Sequence, residues 1–263
     1  MIADLHIETK LRDGCTHLKK VYATPPFKIA DVREDKRDKT LQLMMMSSSP
    51  GILDGDEYRI KIDLEEGCAL DLQTQSYQRI FNMQGCALQQ VEVHTSKGVS
   101  FQYLPHPSAP HEKSDFTAKN KIYLANNCRL IWGEVLTCGR KLNGEVFLFT
   151  KYHNLTEIFL NGKLIIKENL LMQPKQIDVS SIGQLEGYTH QASLIYLDEK
   201  AGNRQLKENI NSFLADQTNI QYGFTEAPKN GIIIRILGQK GEQLHSCLKA
   251  IAGLINTKNM AYA

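Results

Sequence analysis

Three short segments repeat one pattern, and this pattern constrains the fold more than any other feature of the chain. Glu66-Gly67-Cys68-Ala69-Leu70, Gln84-Gly85-Cys86-Ala87-Leu88 and Asn126-Asn127-Cys128-Arg129-Leu130 each place a Gly or Asn, then Cys, one residue, and Leu. Gly and Asn tolerate the positive φ that a tight turn needs. Cys is a small hydrophobe suited to the first inward position of the strand that follows. Leu, two residues on, falls on the same face. Turns of this kind stacked on one another would lay the cysteines and leucines into ladders, as rungs of a β-solenoid do. The spacings of 18 and 42 residues are irregular, so a sandwich stays open as well.

Other segments read as strand too. In Tyr58 to Leu64 the residues Tyr58, Ile60, Ile62 and Leu64 share one face while Arg59, Lys61 and Asp63 share the other, the period of a half-buried strand. After the Gly67 turn, Cys68, Leu70 and Leu72 resume the apolar face, and Asp71, Gln73 and Gln75 form a polar row opposite. Val99, Phe101 and Tyr103 alternate before a proline-rich loop at 104–111, and Ile122 and Leu124 lead into the third repeat. Asn161-Gly162, between Glu157–Leu160 and Lys163–Ile166, predicts a hairpin with a type I′ turn. Leu194 to Leu197 reads as a further strand, and the continuously apolar 231–238 as a strand covered on both faces. The mixed-charge run Asp31 to Lys39 reads as a solvated loop.

Helix is expected only near the C-terminus. Leu206, Ile210, Phe213 and Leu214 follow helical spacing behind a Gly202-Asn203 cap, and so do Leu244, Cys247, Leu248, Ile251, Leu254 and Ile255 from Glu242 onward. The expected fold is therefore mainly β, a β-helix or solenoid-like stack of short strands with two α-helices in its C-terminal part. One domain over 1–263 is expected, since no low-complexity linker divides the chain.

A formal net charge of +2 gives no electrostatic case for nucleic acid. No apolar run approaches the length of a bilayer span. The start, MIADLHIETKLRDG, carries Asp4 and Glu8 and no apolar stretch, so no secretion leader is expected and the setting is read as cytoplasmic. The six cysteines include no C-x-x-C pair, which fits reduced thiols rather than zinc or redox chemistry. G-x-S-x-G, H-E-x-x-H and a phosphate-binding glycine loop are all missing from the sequence.

Several motifs in order resemble a known family. They are Pro50-Gly51-Ile52-Leu53-Asp54-Gly55-Asp56, then Leu72-Gln73-Thr74-Gln75 with Arg79-Ile80-Phe81, and then Tyr103-Leu104-Pro105-His106-Pro107. The most specific element runs from Trp132-Gly133-Glu134 through Gly139-Arg140 to Gly144-Glu145. Together with the 231–238 strand and the helix after it, they resemble the urease accessory proteins called UreD, or UreH in some bacteria, over most of the chain. The sequence departs from the family at Ser47-Ser48-Ser49-Pro50, where the family is glycine-rich, and at Ala109-Pro110-His111. The resemblance implies a non-enzymatic scaffold that binds UreF directly, binds the GTPase UreG through UreF, and helps load nickel into apo-urease. A heterodimer with UreF, able to dimerise further, is implied, with no tightly bound cofactor and only transient Ni²⁺.

Candidate residues follow from that role. Delivery needs a loosely held ion, and Ni²⁺ accepts carboxylate, amide oxygen, imidazole and water. Asp71, Gln73 and Gln75 are expected to line a hydrated passage, and His106 and His111 share a loop where a transient site is conceivable. Glu134 shares strand parity with Leu130, Trp132 and Leu136, where an unpaired carboxylate is costly. Arg140 is expected to turn back onto Glu134 or Glu145 and lock the turn. Asp54 and Asp56 belong to the acidic turn, with a structural or partner role. Leu248 and Ile251, on the last helix, are candidates for contact with a helical partner. Two alternatives remain: a β-solenoid carbohydrate-active enzyme, which needs clustered carboxylates, and an interaction module unrelated to nickel.

Overall fold

A computed structural model describes residues 1–199 and 204–260. The alternation of apolar and polar residues resolves into seventeen strands among them. In chain order these are β1 (Ile2–Arg12), β2 (Cys15–Ala23), β3 (Phe27–Asp31), β4 (Leu41–Ser47), β5 (Glu57–Leu64), β6 (Ala69–Thr74), β7 (Gln78–Ile80), β8 (Ala87–Thr95) and β9 (Ser100–Leu104). They continue as β10 (Ser108–Pro110), β11 (Asp115–Leu124), β12 (Arg129–Leu136), β13 (Lys151–Leu160), β14 (Lys163–Met172), β15 (His190–Asp198), β16 (Ile220–Ala227) and β17 (Gly231–Gly238). The helices are α1 (Arg204–Ala215) and α2 (Gly241–Met260). The Gly202-Asn203 cap lies outside the described residues.

From β4 to β13 the chain shuttles between two open sheets. Strands β5, β8, β11 and β13 enter a seven-stranded sheet of order β14-β13-β11-β8-β5-β1-β2, and β4, β6, β9 and β12 enter a ten-stranded sheet whose main path is β16-β17-β15-β12-β9-β6-β4-β3, with β10 branching from β12 and β7 pairing with β10. Within each sheet these strands pair in parallel, and antiparallel hairpin strands such as β2, β14 and β3 close the edges. Neither sheet closes on itself. The inward residues of both sheets, among them Leu5, Ile62, Leu70, Leu72, Phe101, Phe116 and Leu130, make one core between them. A second core forms on the outer face of the ten-stranded sheet, where α1 and α2 cover Ile131, Val135, Leu194 and Ile234. The strand at 231–238 is covered on both sides as expected: Ile233 joins the first core, while Ile232, Ile234 and Ile236 join the second.

The repeat that opened the sequence survives with one correction. Cys68 and Cys128 are buried at the heads of β6 and β12, but Cys86 is exposed. Its segment feeds the other sheet, where Ala87, Gln89 and Val91 point inward instead. The true middle rung is Gly98-Val99-Ser100-Phe101, for β9 lies between β6 and β12 with Leu70 and Leu130 both opposite Phe101. Gly67, Gly98 and Asn127 take φ of 72°, 71° and 59°, at intervals of 31 and 29 residues. Their turns stack through backbone hydrogen bonds, Gly67 N to Lys97 O at 3.0 Å and Gly98 N to Asn126 O at 3.1 Å.

The Asn161-Gly162 hairpin forms as expected, with both residues at positive φ, 49° and 78°. The Asp31–Lys39 run is less solvated than its charge suggests. Arg33 is buried there, its guanidinium donating to the Asp31 carboxylate and to the carbonyl of Thr16.

Candidate functional site

Between the sheets, where β12 faces β11 and β13, the hydrocarbon gives way to polar side chains around a cavity of about 60 Å³, room for a few water molecules. Glu134 reaches it from β12. Strand parity places Glu134 inward with Trp132 and Leu136, while Ile131 and Val135 face the helices. Four donors converge on its carboxylate: Trp132 Nε1 at 2.7 Å, Thr156 Oγ1 at 3.2 Å, Asn120 Nδ2 at 3.3 Å and Asn154 Nδ2. Burial pushes the Glu134 pKa up despite the bonds from Trp132, Thr156 and Asn154. Three of the donors come from across the gap, because β11 and β13 are parallel neighbours that set Asn120 beside Thr156 and Ala118 beside Asn154, while Trp132 lies two residues from Glu134 on β12 itself.

Further amides and hydroxyls extend the polar lining. Gln78 Nε2 donates to Gln89 Oε1 at 2.7 Å, and Ser108 Oγ to Gln78 Oε1 at 3.0 Å. His106 closes the far side, its Nδ1 3.1 Å from Thr74 Oγ1 and its ring 4.6 Å from that of His245 on α2. His245 is buried, its Nε2 has no hydrogen-bond partner among the described residues, and its pKa is depressed to about 4, chiefly by burial. The result is an acceptor-rich pocket holding one carboxylate. Donors already meet the Glu134 oxygens, and the pocket wall carries a hydroxyl–imidazole contact, Thr74 Oγ1 with His106 Nδ1.

Asp71, Gln73 and Gln75 stand elsewhere. Leu70 and Leu72 take the inner face of β6, so Asp71 and Gln73 lie on the outer face, and Gln75 is exposed beyond the strand end. Thr74, between the two glutamines, is the residue of this run that lines the cavity. Asp71 sits in register with Gln102 and Gln42. Burial raises its pKa, against a hydrogen bond from Gln102 and the charge of Lys249 on α2. Asn256 of the same helix donates to Gln102 Oε1 at 3.2 Å. Asp71 therefore belongs to a polar row under the rim of α2.

His106 and His111 are not brought together. The His111 ring packs edge-on against Phe81, 4.8 Å away, and lines a different cleft from His106. Among the described residues no group of three or more His, Cys, Asp or Glu side chains is placed to hold a metal. Of the two partners expected for Arg140, the structure selects Glu145, in a two-pronged pair whose Nε–Oε2 distance is 2.9 Å. Glu134 takes no part in it. Asp54 accepts the backbone N–H groups of Gln84 and Gly85, while Asp56 accepts those of Leu53 and the N-terminal amine. Both are turn-holding residues in this structure. Leu248 and Ile251 are corrected outright: both are fully buried in the second core, because the apolar stripe of α2 packs onto the ten-stranded sheet, so neither is available to a partner.

The family model described as UreD urease accessory protein matches residues 1–262. The chain belongs to the UreD family. Three curated relatives, each named urease accessory protein UreD, are similar along nearly their whole length. The one from Flavobacterium johnsoniae is 48% identical over 254 residues, covering 95% of this chain and 91% of the relative. That from Acetivibrio thermocellus is 34% identical, covering 95% and 96%. That from Haemophilus influenzae strain 86-028NP is 31% identical, covering 98% and 100%. In this UreD-family chain the most specific motif divides into two structural jobs, Glu134 in the cavity and Arg140–Glu145 in the turn beside it. Asn120, Asn154, Thr156 and His245 were not legible as site residues. The available signal was Asn or Thr at the inward parity of otherwise apolar strands, Phe116-x-Ala118-x-Asn120-x-Ile122 and Tyr152-x-Asn154-x-Thr156-x-Ile158.

Proposed function

We propose that this chain is a non-catalytic scaffold for urease maturation in the cytoplasm. It binds UreF directly and UreG through UreF, as a heterodimer able to dimerise further, and serves apo-urease by letting Ni²⁺ pass rather than by storing it. The observation that carries the reading is the Glu134 cavity in a chain of the UreD family. One carboxylate among amides, hydroxyls and a histidine attracts a divalent cation, and the ligand set is too sparse to trap it. The alternation of strands between two sheets supports a solenoid-like winding around that interior. Because Leu248 and Ile251 are buried, the part of α2 open to UreF is its outward side, with Ser246, Lys249 and the uncrowded Gly253.

The test is reconstitution. The chain is purified with UreF, and apo-urease is activated with UreG and Ni²⁺. Glu134→Leu and Asp71→Leu should each abolish activation, and both variants should still capture UreF. Normal activation by Glu134→Leu removes the cavity from the path, and normal activation by Asp71→Leu removes the outer row. Failure of the unaltered chain to capture UreF overturns the scaffold reading itself.

A further inference from the structure

A second cleft, of about 710 Å³, opens where the β7 end, the Gly139–Asn143 turn and the start of α2 meet. Its volume falls in the range of small-molecule sites. Phe81, Ala109, Tyr77 and Leu142 give it apolar walls, and four basic side chains border it. Two of these are engaged: Arg140 with Glu145, and Lys141 with Thr189 and Gln239. Arg79 and Lys240 are exposed, and among the described residues no ion pair or hydrogen bond engages either side chain.

The floor of the cleft is the N-terminus of a twenty-residue helix. Leu244 N bonds back to Lys240 O at 3.2 Å, so the amides of Gly241, Glu242 and Gln243 have no partner within the helix. Gly241 is buried against the cleft wall: a Cβ there would lie 3.1 Å from both the Tyr77 hydroxyl and Thr137 Cγ2, and 3.4 Å from His190 Cδ2, so this position leaves little room for a side chain.

Two histidines make this more than a helix end. His111 and His190 are 5% and 6% exposed, and both line the cleft. The Nδ1 of His190 is held by Thr189 Oγ1 at 2.8 Å, but among the described residues no hydrogen bond holds its Nε2 or either ring nitrogen of His111. Nor are those nitrogens sealed inside the protein. Two cations unpaired among the described residues and uncapped amides around an apolar cavity favour an anion with an apolar body, and the open imidazole nitrogens add polar contacts for it. We propose that this cleft binds a free organic carboxylate with an apolar body, its carboxylate at the start of α2 between Arg79 and Lys240. Glu242, the carboxylate among the lining residues, leans toward Tyr77, whose hydroxyl lies 3.5 Å from its Oε2. It opposes the bound charge and sets how tightly the anion is held.

The proposal is tested by isothermal titration of the full chain with 4-phenylbutyrate at constant ionic strength, beside acetate, inorganic phosphate and 4-phenylbutanol. Saturable binding of 4-phenylbutyrate is expected, with each of the other three weaker by about tenfold or more. Arg79→Gln and Lys240→Gln, both on exposed side chains, should each weaken it about tenfold, and Glu242→Gln should tighten it about threefold. No saturable binding overturns the site, as does equal affinity in the two cation variants. Phosphate equal to 4-phenylbutyrate overturns the apolar body. Tighter binding of N-acetyl-Leu-Glu-Leu-amide overturns the free small molecule in favour of a protein side chain. None of these readouts depends on urease activation.

Discussion

A carboxylate enclosed by two sheets persists only where its oxygens are satisfied, and Glu134 has four donors aimed at it. Burial still raises its pKa above the ordinary value of 4.5. The folded protein therefore holds the proton more tightly than the unfolded chain, and stability falls as pH rises from the ordinary value through the folded one. Urea melts of Glu134→Gln across that window should lack this decline. The wild type should therefore fare relatively worse toward neutral pH, and parallel profiles would show that Glu134 keeps its ordinary pKa. Glu134→Leu is a different case, since it leaves Trp132 Nε1 and the Asn154 amide without an acceptor. A loss of about 1–3 kcal/mol per orphaned donor is expected. The sequence announced Glu134 as an oddity among apolar neighbours. Its partners were hidden because Asn120, Asn154 and Thr156 reach it only when strands 14 to 22 residues away cross the gap. Arg140 was easier to read, because Glu145 is five residues on around one turn.

Turns and helices show the same division between local and distant information. Asn161-Gly162 fixes its hairpin by its own dihedral preferences, so it could be read without knowing the sheet. The stacked turns could not be read so directly, because Cys86 imitated a rung that Val99 occupies. An interval near thirty residues between Gly67, Gly98 and Asn127 was the better guide, since each rung must traverse both sheets before returning. Gly98→Ala should cost about 1–2 kcal/mol in chemical denaturation, because its φ of 71° disfavours a side chain while nothing crowds the Cβ. Gly139→Ala should cost more, since at φ 119° its Cβ would also lie 2.9 Å from the Pro110 carbonyl oxygen. On α2, helical spacing located the apolar stripe but not what it touches. Leu248→Ala should lose about 2–5 kcal/mol in the same assay. A variant with native stability but weakened UreF capture would return Leu248 to the partner surface.

Across the whole molecule the six cysteines are free. Cys86 is exposed, Cys15 is half-buried, and the other four are buried. Burial raises the pKa of Cys68, Cys138 and Cys247, which lowers their reactivity further. A thiol reagent should therefore modify Cys86 promptly, Cys15 more slowly, and the rest only on unfolding. Reducing agent should leave the melting temperature unchanged, and a shift would reveal a bond the structure does not contain. The second core has a further consequence. Ile131, Val135 and Leu194 are made before the two helices that cover them, so a polypeptide still on the ribosome carries a greasy flank until α2 has emerged. Synthesis that halts ahead of codon 241 should yield inclusion bodies rather than a shorter soluble product.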